Sequence, residues 1–228
     1  MPMPVKRTQL NVRRRREAAR ENLRAEILTV SREIIAKEGF AALTMRKLAE
    51  RIGYSPAALY LHFRSREEIA QQVSLEGYAD LLAEMERELS LAKDDAVARL
   101  RAFARAYISF GLKNPQTYAL IFMEDPAFVK AAYAERKKDD PGTRAYKLLL
   151  QTAAGLIDAG LRPPRVSPKS GKPLRAVTPV ELAEAIWAAL HGVVSLKLTC
   201  SAFQTSSAEL LTGVLVETMI AGMDIVRK

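Results

Sequence analysis

The chain has 228 residues, half of them apolar (49%), few aromatics (7%), one cysteine and a formal net charge of +9. That is enough apolar material for one large or two smaller packed domains. A single cysteine excludes an internal disulfide framework and a cysteine-held zinc, and it fits a reducing compartment. The charged N-terminus carries no signal-peptide pattern, and no uninterrupted apolar run approaches membrane-spanning length.

The excess charge is local. Residues 1–66 hold 15 Lys/Arg against 6 Asp/Glu, whereas residues 67–228 hold 20 of each. A basic segment attached to a neutral one is the electrostatic footprint of a nucleic-acid-binding module. Residues 1–15 contain two prolines and no apolar periodicity, so a mobile tail is expected. Arg13–Arg16 could reach phosphates or a minor groove, or simply begin a solvated helix.

A first helix is expected from about Glu17 to Glu38, with Leu23, Ile27, Val30 and Ile34 as its buried stripe. Residues 39–63 then read as two short helices around a tight turn. Thr44 is an N-cap, and Met45, Leu48, Ala49 and Ile52 form one apolar face. Gly53 suits a left-handed helix end, Ser55 caps the next helix, and Pro56 takes its first position. Leu59 and Phe63 face inward; Ala57, Tyr60 and Leu61 face outward, with His62 at the flank. A capping box, Ser65-x-x-Glu68, starts a long fourth helix to about residue 91.

Helical spacing continues over 96–113, 115–123, 126–136, 143–159, 178–199 and 206–226, with no strand pattern. Residues 161–177, rich in proline and basic side chains, read as a surface loop. The expected fold is all-α: a three-helix helix-turn-helix head joined by the long fourth helix to a helical C-terminal domain, divided as 1–66 and 67–228.

The order Gly39-Phe40, TMRKLA over Thr44–Ala49, Gly53, Ser55, LYLHF over Leu59–Phe63 and SREEI over Ser65–Ile69 resembles the TetR family of transcriptional repressors, over residues 20 to 72. The resemblance implies a ligand-responsive regulator, a repressor that binds a near-palindromic operator in duplex DNA as a homodimer and is released by a small, largely apolar effector. It implies a cytoplasmic protein with no membrane partner. Thr44, Tyr60, His62 and Arg66 are then candidate phosphate contacts. Arg46, Ser55, Pro56, Ala57, Ala58 and Leu61 are placed to approach base edges; so apolar a helix start favours thymine-methyl contacts and Arg46 over hydrogen-bond readout.

For the C-terminal domain, Trp187-x-x-x-His191-Gly192 resembles a signature of one subgroup of such ligand domains. Trp187 and His191 share a helix face. They could wall a pocket, or be a core tryptophan and a hydrogen-bonded histidine with Gly192 admitting a close helix. Phe103, Tyr107 and Phe110, and Tyr118 and Phe122, are further candidate pocket residues. The last two helices are apolar over wide surfaces, which permits the family's four-helix dimer bundle; Val194 and Leu215 are candidate interface residues. No metal or cofactor pattern and no catalytic motif is present, and an enzyme is not expected. The alternative is a DNA-associated architectural or adaptor protein with the same head and no effector.

Overall fold

The computed structural model describes residues 5–92, 95–125, 128, 139–166, 174–203 and 205–225, with backbone only for 5–10, 224 and 225. Its helices are α1 (Val5–Glu38), α2 (Met45–Ile52), α3 (Pro56–Tyr60), α4 (Arg66–Leu91), α5 (Ala96–Lys113), α6 (Pro115–Phe122), α7 (Pro141–Asp158), α8 (Pro179–Thr199) and α9 (Ala208–Ala221). The all-α expectation holds with one correction. Leu161–Arg162 (β1) and Asp224–Ile225 (β2) form a two-residue antiparallel ladder, Leu161 opposite Ile225 and Arg162 opposite Asp224. Strands this short carry no periodicity that a sequence pattern could show.

Local chemistry sets most boundaries. Thr44, Ser55, Asp95, Asp140, Thr178 and Ser207 each accept a backbone N–H at a helix start. Asp140 does so for Gly142 and Thr143, so the acidic pair before Pro141 is a helix boundary. Gly53, at φ +74°, ends α2 in the left-handed region where a side chain would be strained.

Three boundaries differ from the sequence pattern. α1 starts at Val5, because arginine is a strong helix former and Arg13 pairs with Glu17 one turn on. α3 has only five residues, since Leu61 and His62 already turn toward α4. α9 stops at Ala221, and the chain goes on to β2. Residues 161–177 are not wholly loop: besides β1, Val166 and Arg175 exchange both backbone hydrogen bonds. The expected helix 126–136 lies outside the described residues except Phe128.

The chain forms two compact units, Met1–Glu76 with Ala119–Ala134, and Gly77–Tyr118 with Glu135–Lys228. The first thus extends past residue 66. Its core joins Ile27, Ile34 and Ile35 of α1 to Leu43, Met45, Leu48, Ala49, Leu59, Phe63, Ile69 and Val73, and Leu120 enters it. The second centres on α5, whose Leu100, Phe103, Tyr107 and Phe110 are buried between α7, α8 and α9. There the backbones of α5 and α8 approach closely. A Cβ on Gly111 would lie 2.6 Å from Val194 Cγ1 and 3.0 Å from Tyr118 Cδ2.

Candidate nucleic-acid interface and ligand site

The N-terminal unit presents α2 and α3 around the Gly53 turn, and the caps that shape it keep capacity to spare. Thr44 Oγ1 accepts from Lys47 N at 3.1 Å and Ser55 Oγ from Ala58 N at 3.2 Å. Each hydroxyl can still donate outward. Tyr60 and Leu61 project from the α3 end, 54% and 74% exposed. Pro56, Ala57 and Arg46 are exposed, and Ala58 is half-buried. Ser65 accepts from Glu68 N, while the Glu68 carboxylate reaches back to Arg64 N at 2.6 Å, one residue earlier than an ordinary capping box.

Lys47 and Arg51 of α2 are paired with Glu38 and Glu33 of α1, and Arg32 with Glu76. Arg46 makes no ion pair among the described residues. Arg66 is half-committed: it donates to Leu43 O at 3.3 Å, pairs with Glu67, and stacks over the Phe40 ring at 4.8 Å. Burial, with Arg20 and Arg24 beside it, lowers the His62 pKa. Its Nδ1 is buried and has no hydrogen-bond partner among the described residues, so a phosphate contact from this ring has to come from Nε2.

Two residues that the sequence pattern does not single out hold this surface. Arg24 of α1 donates to His62 O at 2.8 Å and stacks over the Phe63 ring at 4.0 Å. Arg20, one turn earlier, reaches Leu61 O at 3.5 Å. They tie off carbonyls at the end of α3 that have no helical partner. Their i, i+4 spacing is visible in the sequence; their partners, about forty residues on, are not.

In the second unit the structure brings Tyr107, Tyr118, Trp187 and His191 together. Trp187 Nε1 donates to Tyr107 Oη at 2.9 Å, Tyr107 and Tyr118 hydroxyls lie 2.9 Å apart, and Tyr118 Oη lies 2.6 Å from His191 Nδ1. Giving each hydroxyl hydrogen an acceptor along this chain runs it from Trp187 to His191, with Nδ1 accepting. Burial pushes the Tyr118 hydroxyl far up and lowers His191, so both are neutral. Phe103 and Phe110 are buried in the same unit, and Phe122, in the first unit, is half-buried. Tyr107, Tyr118, Trp187 and His191 are therefore packed on one another. A Cβ at Gly192 would meet nothing within 4 Å, so no close helix among the described residues requires that glycine.

A cavity of about 650 Å³ lies elsewhere in this unit, between α4, α5 and α9. Ile108, Leu112 and Val216 supply apolar lining, and Glu84, Arg87, Glu88, Arg101, Arg105, Lys113, Glu209 and Glu217 the charges. It has the volume of a small-molecule site. Among the described residues no group of His, Cys, Asp and Glu has the geometry to hold a metal ion.

Comparison with known proteins places this arrangement. The profile of the bacterial regulatory proteins, tetR family, matches residues 27–73. That of the tetracyclin repressor-like C-terminal domain matches residues 100–222, more than half of the chain. The chain belongs to the TetR family. TetR-type relatives include the HTH-type transcriptional regulator Rv1816 of Mycobacterium tuberculosis, 31% identical over 113 residues, 47% of each chain. The HTH-type transcriptional activator FasR of Mycolicibacterium smegmatis is 33% identical over 113 residues, 50% of this chain and 51% of that one. The nucleoid occlusion factor SlmA of Escherichia coli is 31% identical over 117 residues, 48% of this chain and 59% of that one. This TetR chain spans about half the length of the curated relatives it matches. A Rhodococcus sp. RHA1 protein of unknown function shares the fold, with a TM-score of 0.69 at 24% identity over 88% of this chain and 95% of that one.

Proposed function

We propose that this protein is a ligand-responsive transcriptional repressor that binds a near-palindromic operator as a homodimer in the cytoplasm. The observation that carries the DNA reading is the α2–turn–α3 surface: exposed Arg46, Tyr60 and Leu61, two cap hydroxyls able to donate, and the basic excess confined to residues 1–66. Thr44, Tyr60, His62 Nε2 and Arg66 face phosphates in this reading. Arg46, Ser55, Pro56, Ala57, Ala58 and Leu61 approach base edges. Affinity should fall steeply with salt, log K dropping by about 0.9 per released phosphate contact against log salt. Tyr60→Ala should weaken binding across sequences alike, measured by fluorescence anisotropy on a selected operator and on unrelated duplex. Equal affinity in parent and variant would remove Tyr60 from the interface.

The effector reading rests on the second unit. An effector shifts the regulator only through different affinities for DNA-competent and incompetent states. The sequence points it to Phe103, Tyr107, Phe110, Tyr118, Phe122, Trp187 and His191. Entry there requires the Trp187–His191 chain to open. That packing favours a second reading, an architectural DNA-binding protein without effector, in keeping with the SlmA relative's description as a nucleoid occlusion factor. Trp187 is the only tryptophan, so its fluorescence during a ligand screen separates the two. A response lost in His191→Ala with DNA affinity kept supports an effector at the aromatic cluster.

A further inference from the structure

We propose that the cavity between α4, α5 and α9 binds an amphipathic organic anion, with its head held by Arg105 and Lys113 and its apolar body against Ile108, Leu112 and Val216. The regulatory consequence rests on the ligand-responsive reading above; the binding site itself does not. On one wall Glu84 and Glu88, a turn apart on α4, face three cations. Arg87 spans both, at 3.2 and 3.1 Å. Arg105 reaches Glu88 at 3.4 Å, and Lys113 lies 3.8 Å from Glu84, beyond hydrogen-bond distance. Ser109 takes a further Glu84 lone pair at 3.0 Å. Three cations therefore share two carboxylates, and the loosest two stand on α5. The far wall offers no such slack, because Arg101 and Glu217 close a two-pronged pair at 2.7 and 2.9 Å.

Depth separates the signs. Glu84 and Glu88 side chains are 23% and 16% exposed, whereas Arg105 and Lys113 are 58% and 68% exposed. An incoming head group meets the cations first, with the acids behind them as counter-charges. A carboxylate or phosphate would gain charge-assisted hydrogen bonds from side chains only partly committed. An organic cation would find Glu209 exposed and the other acids already held. The apolar lining inside gives a hydrocarbon body a place to leave water.

Gly213 provides the means to close the site. It lines the cavity, and a Cβ there would meet nothing within 4 Å, so Gly213→Leu can grow into the space while raising helix propensity. The experiment is titration calorimetry of the full chain with dodecanoate below its micelle concentration, with dodecanol and dodecyltrimethylammonium as comparators. Dodecanoate should bind saturably, one per chain, and at least about tenfold more weakly to Gly213→Leu and to Arg105→Gln/Lys113→Gln, at unchanged sedimentation. His191→Ala should bind it like the parent. No saturable binding, equal binding of the cation, or indifference to both cavity variants would overturn the proposal. If dodecanoate obeys these rules but leaves DNA affinity unchanged, the site stands and the regulatory reading at this site falls. If a DNA-releasing effector is lost in His191→Ala and kept in Gly213→Leu, the regulatory reading stands and the cavity is not its site.

Discussion

Arg24 shows how much of the proposed DNA-binding surface depends on a residue outside it. α3 has only five residues, too few to hold its own geometry, and the carbonyls just past its end are tied by α1. Removing the guanidinium loses a 2.8 Å charge-assisted bond and a stacked cation over Phe63. Arg24→Ala should bind operator about tenfold more weakly, a loss of about 1.4 kcal/mol, with the far-ultraviolet spectrum kept. Arg24→Lys should fall between, because lysine keeps one donor and loses the flat stacking face. Anisotropy with the two variants side by side checks this; parent-like affinity in Arg24→Ala would show that α3 needs no such tie. Tyr60 and Leu61 are legible in the sequence because periodicity puts them opposite Leu59 and Phe63. Arg24 is not, since its partners are carbonyls brought near only by the fold.

At the scale of elements, the α5–α8 crossing is set by Gly111. An added methyl must displace Val194, whose β-branched side chain has few alternative rotamers. Gly111→Ala should destabilise by about 1–2 kcal/mol despite the better helix propensity, and Gly111→Ala/Val194→Ala by less than the sum of the two single changes. Urea unfolding of the four proteins measures the coupling. The burial of His191 should make stability pH-dependent. Burial lowers the folded-state pKa of His191, so below the ordinary value near 6.5 the unfolded chain binds protons that the folded chain resists. Stability should fall as pH drops below about 6.5, and His191→Gln should flatten the fall. His62, also lowered, should leave a residual slope in that variant. A parent-like slope in His191→Gln would move the effect elsewhere.

Across the molecule, α8 and α9 turn their packed and open faces in different directions. α8 is long and apolar enough to cross a membrane by composition, with 28% of that window buried. Leu182, Ile186, Leu190 and Val194 face the chain's own core. Leu196, Leu210 and Val214 are about half exposed, at 48%, 57% and 57%. An open apolar face beside an internal core is what a partner helix would cover. Val194, legible from composition as an interface residue, is fully buried inside its own chain, so a charge there would unfold the domain rather than dissociate a dimer. The informative variant is Val214→Arg. It should convert a micromolar dimer to monomer in sedimentation while leaving helix content unchanged. A parent protein that sediments as a monomer would refute the dimer itself.

The sequence by itself determined the elements whose causes are local: the Thr44 and Ser55 caps, the Gly53 turn, the inward stripe of α1, and the basic excess of the first 66 residues. Each follows from neighbours within about four residues, or from plain counting. Tertiary structure decided what depends on contacts between distant segments. It closed Tyr107, Tyr118, Trp187 and His191 on one another, and it opened a cavity beside Arg105 and Lys113. An aromatic stripe carries the same spacing whether it lines a void or fills a core. Which of the two it does depends on the volume left between helices, and that is fixed only when α4, α5, α8 and α9 pack.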